Sequence, residues 1–197
     1  MIAASPTMPE QAEVQQRLDA LHDRNGGRLD ETLVTLMQWS DGWGYFEHLK
    51  QTNEYLAFEA PGEVVPLRLQ INYSRLGYKA PEGGHGPACP LCFENIGIPG
   101  KERLRVFEFT LAGTPFFAHL TPFPLYRGHF VVNLRRHAPM MIGREGLAQS
   151  LEFVRRAPGW LVASNSDVEW AGASVLGHHH VQVFAALRLP VENAAVE

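Results

Sequence analysis

Three polar side chains occupy alternate positions within a largely apolar stretch near the end of this sequence. They are His178, His180 and Gln182, within the segment GASVLGHHHVQ at 172–182. Alternate residues of a β-strand share one face, so a strand here would place the three side chains in one row. A buried polar group without a partner costs about 1–3 kcal/mol. The row therefore predicts a site where a metal, a phosphate or a hydrogen-bond network offsets that cost.

The second chemical signal is a pair of cysteines, Cys89 and Cys92, which are the only two in the chain. A Cys-x-x-Cys pair can bind one zinc ion through both thiolates, and a tetrahedral site then needs two further ligands. Two other interpretations stay open, namely a redox-active pair and two reduced cysteines without a ligand. No βαβ pattern surrounds the pair, which disfavours the redox interpretation.

The pattern His178-x-His180-x-Gln182, with Gly-Ala-Ser at 172–174 before it, resembles the histidine-triad superfamily. The branch with glutamine in the third position contains the galactose-1-phosphate uridylyltransferases, the dinucleoside polyphosphate phosphorylases and the GDP-hexose phosphorylases. A second segment, RGHFVV at 127–132, is followed by Arg-Arg-His at 135–137 and is similar to the strand that precedes the triad in this superfamily. The resemblance covers residues 86–187.

The resemblance implies roles for individual residues. It implies that His180 is the nucleophile that forms a nucleotidyl intermediate, and that Gln182 donates a hydrogen bond to the phosphoryl oxygen. An amide has no titratable proton, so Gln182 favours transfer to another phosphate over hydrolysis. The resemblance also implies that Asn165 and Ser174 contact the substrate. Three residues separate Ser174 from His178, one more than is common in the uridylyltransferases.

The resemblance also implies a zinc site with Cys89, Cys92, His137 and His178 as ligands. The zinc would be structural, because four protein ligands leave no position for water. It would hold the loop at 81–99, which is rich in Gly, Pro, His and Cys and needs something other than an apolar core to order it. It would also orient the strand that carries His180.

Composition and charge narrow the function further. A chain of 197 residues, 45% of them hydrophobic, is enough for one sizeable domain with a real core. The net charge is -4 and no run of Lys or Arg occurs, which disfavours nucleic acid or an acidic membrane surface as a partner. The first ten residues lack a signal-peptide pattern, and no apolar stretch approaches the ~18 residues of a membrane span. A cytoplasmic protein is predicted.

Residue periodicity predicts helices at 8–24, from 29 to a stop at Gly42-Trp43-Gly44, and at 144–156. It predicts strands at 64–73, 104–111, 115–121, 128–134, 160–164 and 178–187. The first strand is expected to bury Val65, Leu67, Leu69 and Ile71. The fold class that follows is α+β, with an antiparallel sheet like that of the histidine-triad superfamily and helices packed on it. Residues 1–60 are predicted to form an N-terminal helical extension, and residues 61–197 the nucleotidyltransferase domain.

These features together predict an enzyme of carbohydrate metabolism. It would be a nucleotidyltransferase or phosphorylase that acts on a nucleoside-diphosphate sugar or a dinucleoside polyphosphate through a nucleotidyl-histidine. Two alternatives stay open, a nucleotide hydrolase of the same superfamily and a zinc-stabilised nucleotide-binding module without catalysis. Uridylyltransferases of this type usually have a second half after the triad strand. Two interpretations stay open: a compact single-half protein that completes its site by pairing with a second copy as a homodimer, or a part of a longer chain.

Overall fold

The computed structural model describes residues 8–46, 53–59, 67–73, 89–126, 128–168, 175–185 and 187–189. These residues form two antiparallel sheets, one with strands in the order β3-β4-β5-β7-β6 and one with β1 paired to β2. The helices are α1 (Gln11–Arg24), α2 (Leu29–Gly42) and α3 (Arg144–Arg156). The strands are β1 (Asn53–Phe58), β2 (Leu67–Asn72), β3 (Phe107–Leu111), β4 (Thr114–Leu120), β5 (His129–Leu134), β6 (Leu161–Ala163) and β7 (His180–Phe184). The α+β prediction is confirmed.

The helices end where turn residues stop them. After α1, Asn25 donates to the carbonyl of Leu21, and Gly27 takes a positive φ of 80° while donating to the carbonyl of His22. That backbone conformation is accessible to glycine at little cost, so the chain turns directly into α2. The predicted third helix has the same bounds as α3.

The five-stranded sheet has two chemically different faces. On the face covered by the helices, Phe107, Phe116, Phe130 and Val183 pack in one core with apolar side chains of α1, α2 and α3. The opposite face, which we call the polar face, carries the alternate residues. They include His119, Asn133, His180 and Gln182, with Phe117 and Val131 among them. The division of the chain at residue 60 stays a prediction.

Register on the polar face follows directly from the strand pairing. Gln182 lies opposite Val131, which lies opposite His119, and these residues form one row across three strands. His180 lies opposite Asn133, which lies opposite Phe117, in the adjacent row. The pairing therefore places His180 and Gln182 on the face away from the helices.

The last strand begins two residues later than the sequence predicts, at His180 instead of His178. The reason is visible in the backbone of His179, whose N–H donates to the carbonyl of Ala138 at 2.6 Å and whose carbonyl accepts from Leu134 at 2.9 Å. These bonds tie the chain to the last residue of β5 and to the segment that follows it. The side chains of His178 and His180 consequently enter two different sites.

The prediction for the strand at 64–73 is half right. A strand is present as β2, but Leu67, Leu69 and Ile71 are 43%, 50% and 37% exposed, so the predicted burial of these three side chains is wrong. Val65 lies outside the described residues. The hairpin of β1 and β2 attaches to the rest of the protein through its polar face, because Tyr55 and Gln70 both donate to the carbonyl of Leu125. Alternation predicted an apolar face correctly but could not predict which face packs inward.

Gly128 directly precedes the strand β5 and is under two constraints, which makes it a sensitive position. Its φ is +73°, and a Cβ added there would lie 2.6 Å from the Cβ of Ala185. We expect Gly128→Ala to lower the free energy of unfolding by about 2–4 kcal/mol. The strain of a left-handed backbone conformation and the cost of overpacking against Ala185 both contribute. Gly113→Ala is the matched control, since its φ is +74° but its added Cβ meets nothing within 4 Å. Urea unfolding of both variants measures the difference, and equal losses would show that the contact with Ala185 is harmless.

Candidate active site and metal centre

The ring of His180 is held in one orientation by hydrogen bonds at both nitrogens. Nδ1 lies 2.8 Å from the carbonyl oxygen of His178, and Nε2 lies 3.2 Å from Nδ2 of Asn165. A carbonyl only accepts, so Nδ1 carries the proton and donates it, which leaves the lone pair on Nε2. Burial lowers the pKa of His180 and thereby favours the neutral ring. A neutral imidazole with a fixed lone pair is the form that a nucleophile requires.

Two amides continue this chain of hydrogen bonds. Gln182 donates from Nε2 to Oδ1 of Asn165 at 3.1 Å, and Asn165 in turn donates to His180. Asn165 comes two residues after β6, whose Ala163 pairs with Gln182 in β7. The strand pairing therefore brings a loop amide to the ring of His180. Both amides can also donate to an oxyanion that approaches Nε2.

A cavity of about 680 Å³ opens over these three residues. One part of its wall is apolar and includes Leu104, Phe123, Leu125 and Val131, while Lys101 and Arg103 bring positive charge to it. The volume is in the range of small-molecule sites, which are largely apolar with a few convergent polar groups. The arrangement suits a ligand with an apolar, aromatic part and an anionic part.

His119 lies on the cavity wall and its charge state has a consequence for stability. Nδ1 is 2.9 Å from the carbonyl of Leu120, and burial, with smaller contributions from Lys101 and His180, lowers the pKa of His119 to about 4. Because the unfolded chain protonates this ring near pH 6.5, the stabilisation is complete above that pH and is lost as the pH falls toward 4.

We therefore expect the free energy of unfolding to fall between pH 7 and pH 5 by about 2 kcal/mol more in the wild type than in His119→Gln. Other titrating histidines contribute equally to both proteins, so the difference isolates His119. Denaturant unfolding at the two pH values measures it. Parallel pH profiles for the two proteins would contradict the expectation.

The second site is a group of four side chains, Cys89, Cys92, His137 and His178, whose ligand atoms all lie within 4.8 Å of one another. Nδ1 of His178 is 3.5 Å from Sγ of Cys89 and 3.6 Å from Sγ of Cys92, while Nδ1 of His137 is 3.2 Å from Sγ of Cys92. The two imidazole rings stand nearly perpendicular, with centroids 5.1 Å apart.

The donor atoms of this group fit a tetrahedral zinc ion. Bonds of about 2.3 Å to sulfur and 2.0 Å to nitrogen place tetrahedral ligand atoms roughly 3.3–3.8 Å apart, which agrees with the distances above. His178 also donates from Nε2 to the carbonyl of Leu134 at 2.8 Å, an orientation that leaves Nδ1 available to a metal. Burial raises the pKa of the Cys92 thiol to about 11, so a bound cation is needed to stabilise its thiolate. The structure thus contains a largely buried Cys₂His₂ group that could bind a metal ion.

The metal group and the cavity share a wall. Pro90 and Leu91, between the two cysteines, line the cavity together with His180. The short 3-10 helix that follows, Phe93–Asn95, packs on the polar face of the sheet through an edge-to-face contact between Phe93 and Phe117. Order in the Cys-Pro-Leu-Cys turn therefore shapes the cavity.

The structure brings together most of the site residues that the sequence predicts. His180, Gln182 and Asn165 form one hydrogen-bonded set, and the four expected metal ligands form another. Ser174 lies outside the described residues. His179, as expected, points away from both sites and contacts Phe116. No sequence motif marks Lys101, which also lines the cavity.

The fold and the placement of the site are consistent with the resemblance drawn from the motifs. A five-stranded antiparallel sheet with helices on one face, and a His-x-His-x-Gln segment that carries a cavity on the other, agrees with the histidine-triad-like fold implied by the motifs.

Curated relatives confirm the resemblance to the uridylyltransferase branch. The chain is 25% identical over 205 residues to galactose-1-phosphate uridylyltransferase of Caldanaerobacter subterraneus subsp. tengcongensis, an alignment that covers 96% of this chain and 38% of the relative. It is 28% identical over 193 residues to the enzyme of the same name from Bifidobacterium longum, covering 93% and 36%. It is 34% identical over 102 residues to that of Halalkalibacterium halodurans, covering 49% and 20%.

The chain thus spans less than two fifths of the length of the uridylyltransferases reported above. No family model matches it. No solved structure matches it either. Across the part of the chain that the structure describes, no helix combines the length and the apolar character needed to span a membrane.

Proposed function

We propose that this chain transfers a nucleoside monophosphate group between phosphates through a covalent intermediate on His180. The observation that carries the proposal is the orientation and tautomer of this ring. Nδ1 donates its proton to the carbonyl of His178, and Nε2 carries the lone pair at the cavity. The substrate class is a nucleoside-diphosphate sugar or a dinucleoside polyphosphate. The names of the relatives support a sugar phosphate as one of the reactants.

The first step forms one bond and breaks one. Nε2 attacks the α-phosphorus, the N–P bond forms, and the P–O bond to the leaving phosphate breaks, with the electron pair going to that oxygen. A phosphate leaves as an anion and needs no proton, so a titratable acid at position 182 is unnecessary. In the second step an oxygen of the acceptor phosphate attacks the same phosphorus, and the pair of the N–P bond returns to Nε2.

The amides of Asn165 and Gln182 act on the charge that develops during transfer. In the structure Asn165 donates to the attacking nitrogen, so substrate binding has to redirect this donor toward a phosphoryl oxygen. Once redirected, a donor aimed at the developing charge typically contributes about a hundredfold in rate. Ser174 is proposed to contact the same phosphates, and the apolar wall at Leu104, Phe123 and Leu125 to hold the base.

Cys89, Cys92, His137 and His178 would hold a structural zinc ion. Bound zinc would supply a fixed tetrahedral cross-link between the turn at 89–92, the residue His137 after β5, and the start of β7. All four positions are then occupied by protein atoms, so these residues position the cavity wall without activating water. The proposal includes a cytoplasmic protein, because the ligand set requires reduced thiols. A homodimer stays a prediction, to be checked by light scattering.

The test is the mass of the intact protein after incubation with UDP-, GDP- and ADP-glucose, UDP-galactose and diadenosine tetraphosphate, without an acceptor. A mass gain of one nucleoside monophosphate supports the intermediate and identifies the base. Adding galactose 1-phosphate, glucose 1-phosphate or inorganic phosphate then distinguishes transfer from phosphorolysis. Nucleoside monophosphate released without an acceptor would indicate the hydrolase. Nucleotide binding without adduct or release would indicate the binding module and contradict the proposal.

A further inference from the structure

Lys101 links the metal-binding turn to the cavity. Its Nζ donates to the carbonyl of Pro90 at 2.7 Å, and Pro90 lies between the two cysteines. Its backbone is held on both sides, because its N–H donates to Ile98 at 2.8 Å and its carbonyl accepts from Leu104 at 2.9 Å. Lys101, Pro90 and His180 line the same cavity. The turn that carries Cys89 and Cys92 therefore holds the ammonium group of Lys101 in place.

The charge of Lys101 is only partly compensated. The side chain is half-buried, and this burial lowers the pKa of Lys101, although the thiolate charges of Cys89 and Cys92 oppose the shift. Among the described residues, no carboxylate forms an ion pair with its Nζ, and the partner at 2.7 Å is a neutral carbonyl. An ammonium has three donors, so two remain available after that bond. A partly desolvated cation with spare donors favours an anion from the cavity.

The groups facing Lys101 across the cavity are mostly neutral. His119 is close enough for the lysine charge to contribute to its lowered pKa, and burial favours the neutral form of this ring. Asn165 and Gln182, which line the same cavity, carry no charge. Glu102 also lines the cavity, but it is exposed and its Oε1 accepts from the N–H of Gly100 at 2.8 Å. Anionic ligand atoms that approach His180 thus meet a fixed positive charge nearby.

We infer that Lys101 is a phosphate-binding residue of this site and pairs with non-bridging oxygens of the substrate diphosphate. This inference rests on the proposed function and adds a residue to it. An ammonium binds phosphate as a point charge, and it would offset the repulsion between the phosphates while His180 attacks. Because the metal-binding turn holds Nζ, the four metal ligands contribute indirectly to substrate binding.

The test uses inorganic pyrophosphate, which carries a diphosphate but no base, with titration calorimetry on the full, zinc-supplemented chain at low ionic strength. Lys101→Met is expected to weaken pyrophosphate binding at least about tenfold, as loss of a charged hydrogen bond does, whereas Lys101→Arg stays within about threefold. Arg155→Gln is the control, because it removes an equal charge from the exposed end of α3. Zinc content and melting temperature of each variant are measured in parallel.

The outcomes separate this inference from the proposed function. Equal pyrophosphate affinity in the wild type and Lys101→Met overturns it, as does a wild type that forms the nucleotidyl adduct but binds no pyrophosphate. If Arg155→Gln lost as much affinity for pyrophosphate as Lys101→Met does, net charge alone would explain the effect. That result would also overturn the inference. If Lys101→Met alone loses affinity but no donor gives an adduct, the lysine site stands and the proposed transfer fails.

Discussion

His180→Gly is expected to abolish the nucleotidyl adduct and to lower the rate of transfer about a thousandfold or more, because it removes the atom that forms the N–P bond. Binding of the nucleotide should persist, since the cavity wall and Lys101 are unchanged. Intact mass measures the adduct and calorimetry measures the binding. The split between lost chemistry and retained affinity is the signature of a nucleophile, and a purely structural histidine would lose both together.

The neighbouring His179 provides a matched control. Nδ1 of His179 accepts a hydrogen bond from the N–H of Met141, and the side chain lies against Phe116, away from the cavity. The amide oxygen of asparagine can occupy nearly the same place as Nδ1, so His179→Asn should still form the adduct. An adduct in His180→Gly of the same yield as in the wild type would exclude His180 as the nucleophile.

Cys92→Ser is expected to remove bound zinc and to lower the melting temperature by about 10 °C or more, since each kcal/mol corresponds to roughly 2–4 °C in a chain of this size. Cys92 is buried and close to both imidazoles of the metal group. Elemental analysis should give about one zinc per wild-type chain and almost none in the variant. Scanning calorimetry measures the melting temperature.

Chelation supplies the internal control for this variant. A chelator should lower the melting temperature of the wild type to near that of Cys92→Ser and leave the variant unchanged, because the two treatments remove the same ion. A melting temperature of the wild type that responds to reductant but not to chelator would instead support a redox pair. A metal-free wild type with the same melting temperature before and after chelation would exclude the zinc site.

Much of the fold could be predicted because its elements have clear periodicity and clear ends. The bounds of α3 follow from local sequence alone, and so does the presence of β3, β4 and β5, whose bounds differ from the prediction by one to three residues. The order β3-β4-β5-β7-β6 does not, since the position of β6 at the edge depends on contacts far apart in the chain. The exposed Leu67, Leu69 and Ile71 show the same limit. Their alternation gives a face, but only the polar contacts with Leu125 decide its direction.

The candidate site was predictable to the extent that residue types and spacing carry a chemical constraint. His180 and Gln182 lie in one strand, and the two cysteines lie in one turn, so their proximity is local. Lys101 has no such constraint, because its place beside the cavity depends on a backbone carbonyl eleven residues away. Long-range positions of this kind become visible only once the turn and the sheet are packed together.

Because the two faces of the sheet differ, the number of residues in the segment that leads into β7 is as important as their types. Backbone bonds from His179 to Ala138 and Leu134 fix where β7 begins, and the pairing of Asn133 with His180 fixes its phase. Inserting or deleting one residue between 177 and 180 would turn His180 toward the helices and bring Val181 to the cavity. A two-residue change would restore the face but displace the imidazole by one row, out of its pairing with Asn133. This segment can therefore diverge by substitution far more easily than by a change in length.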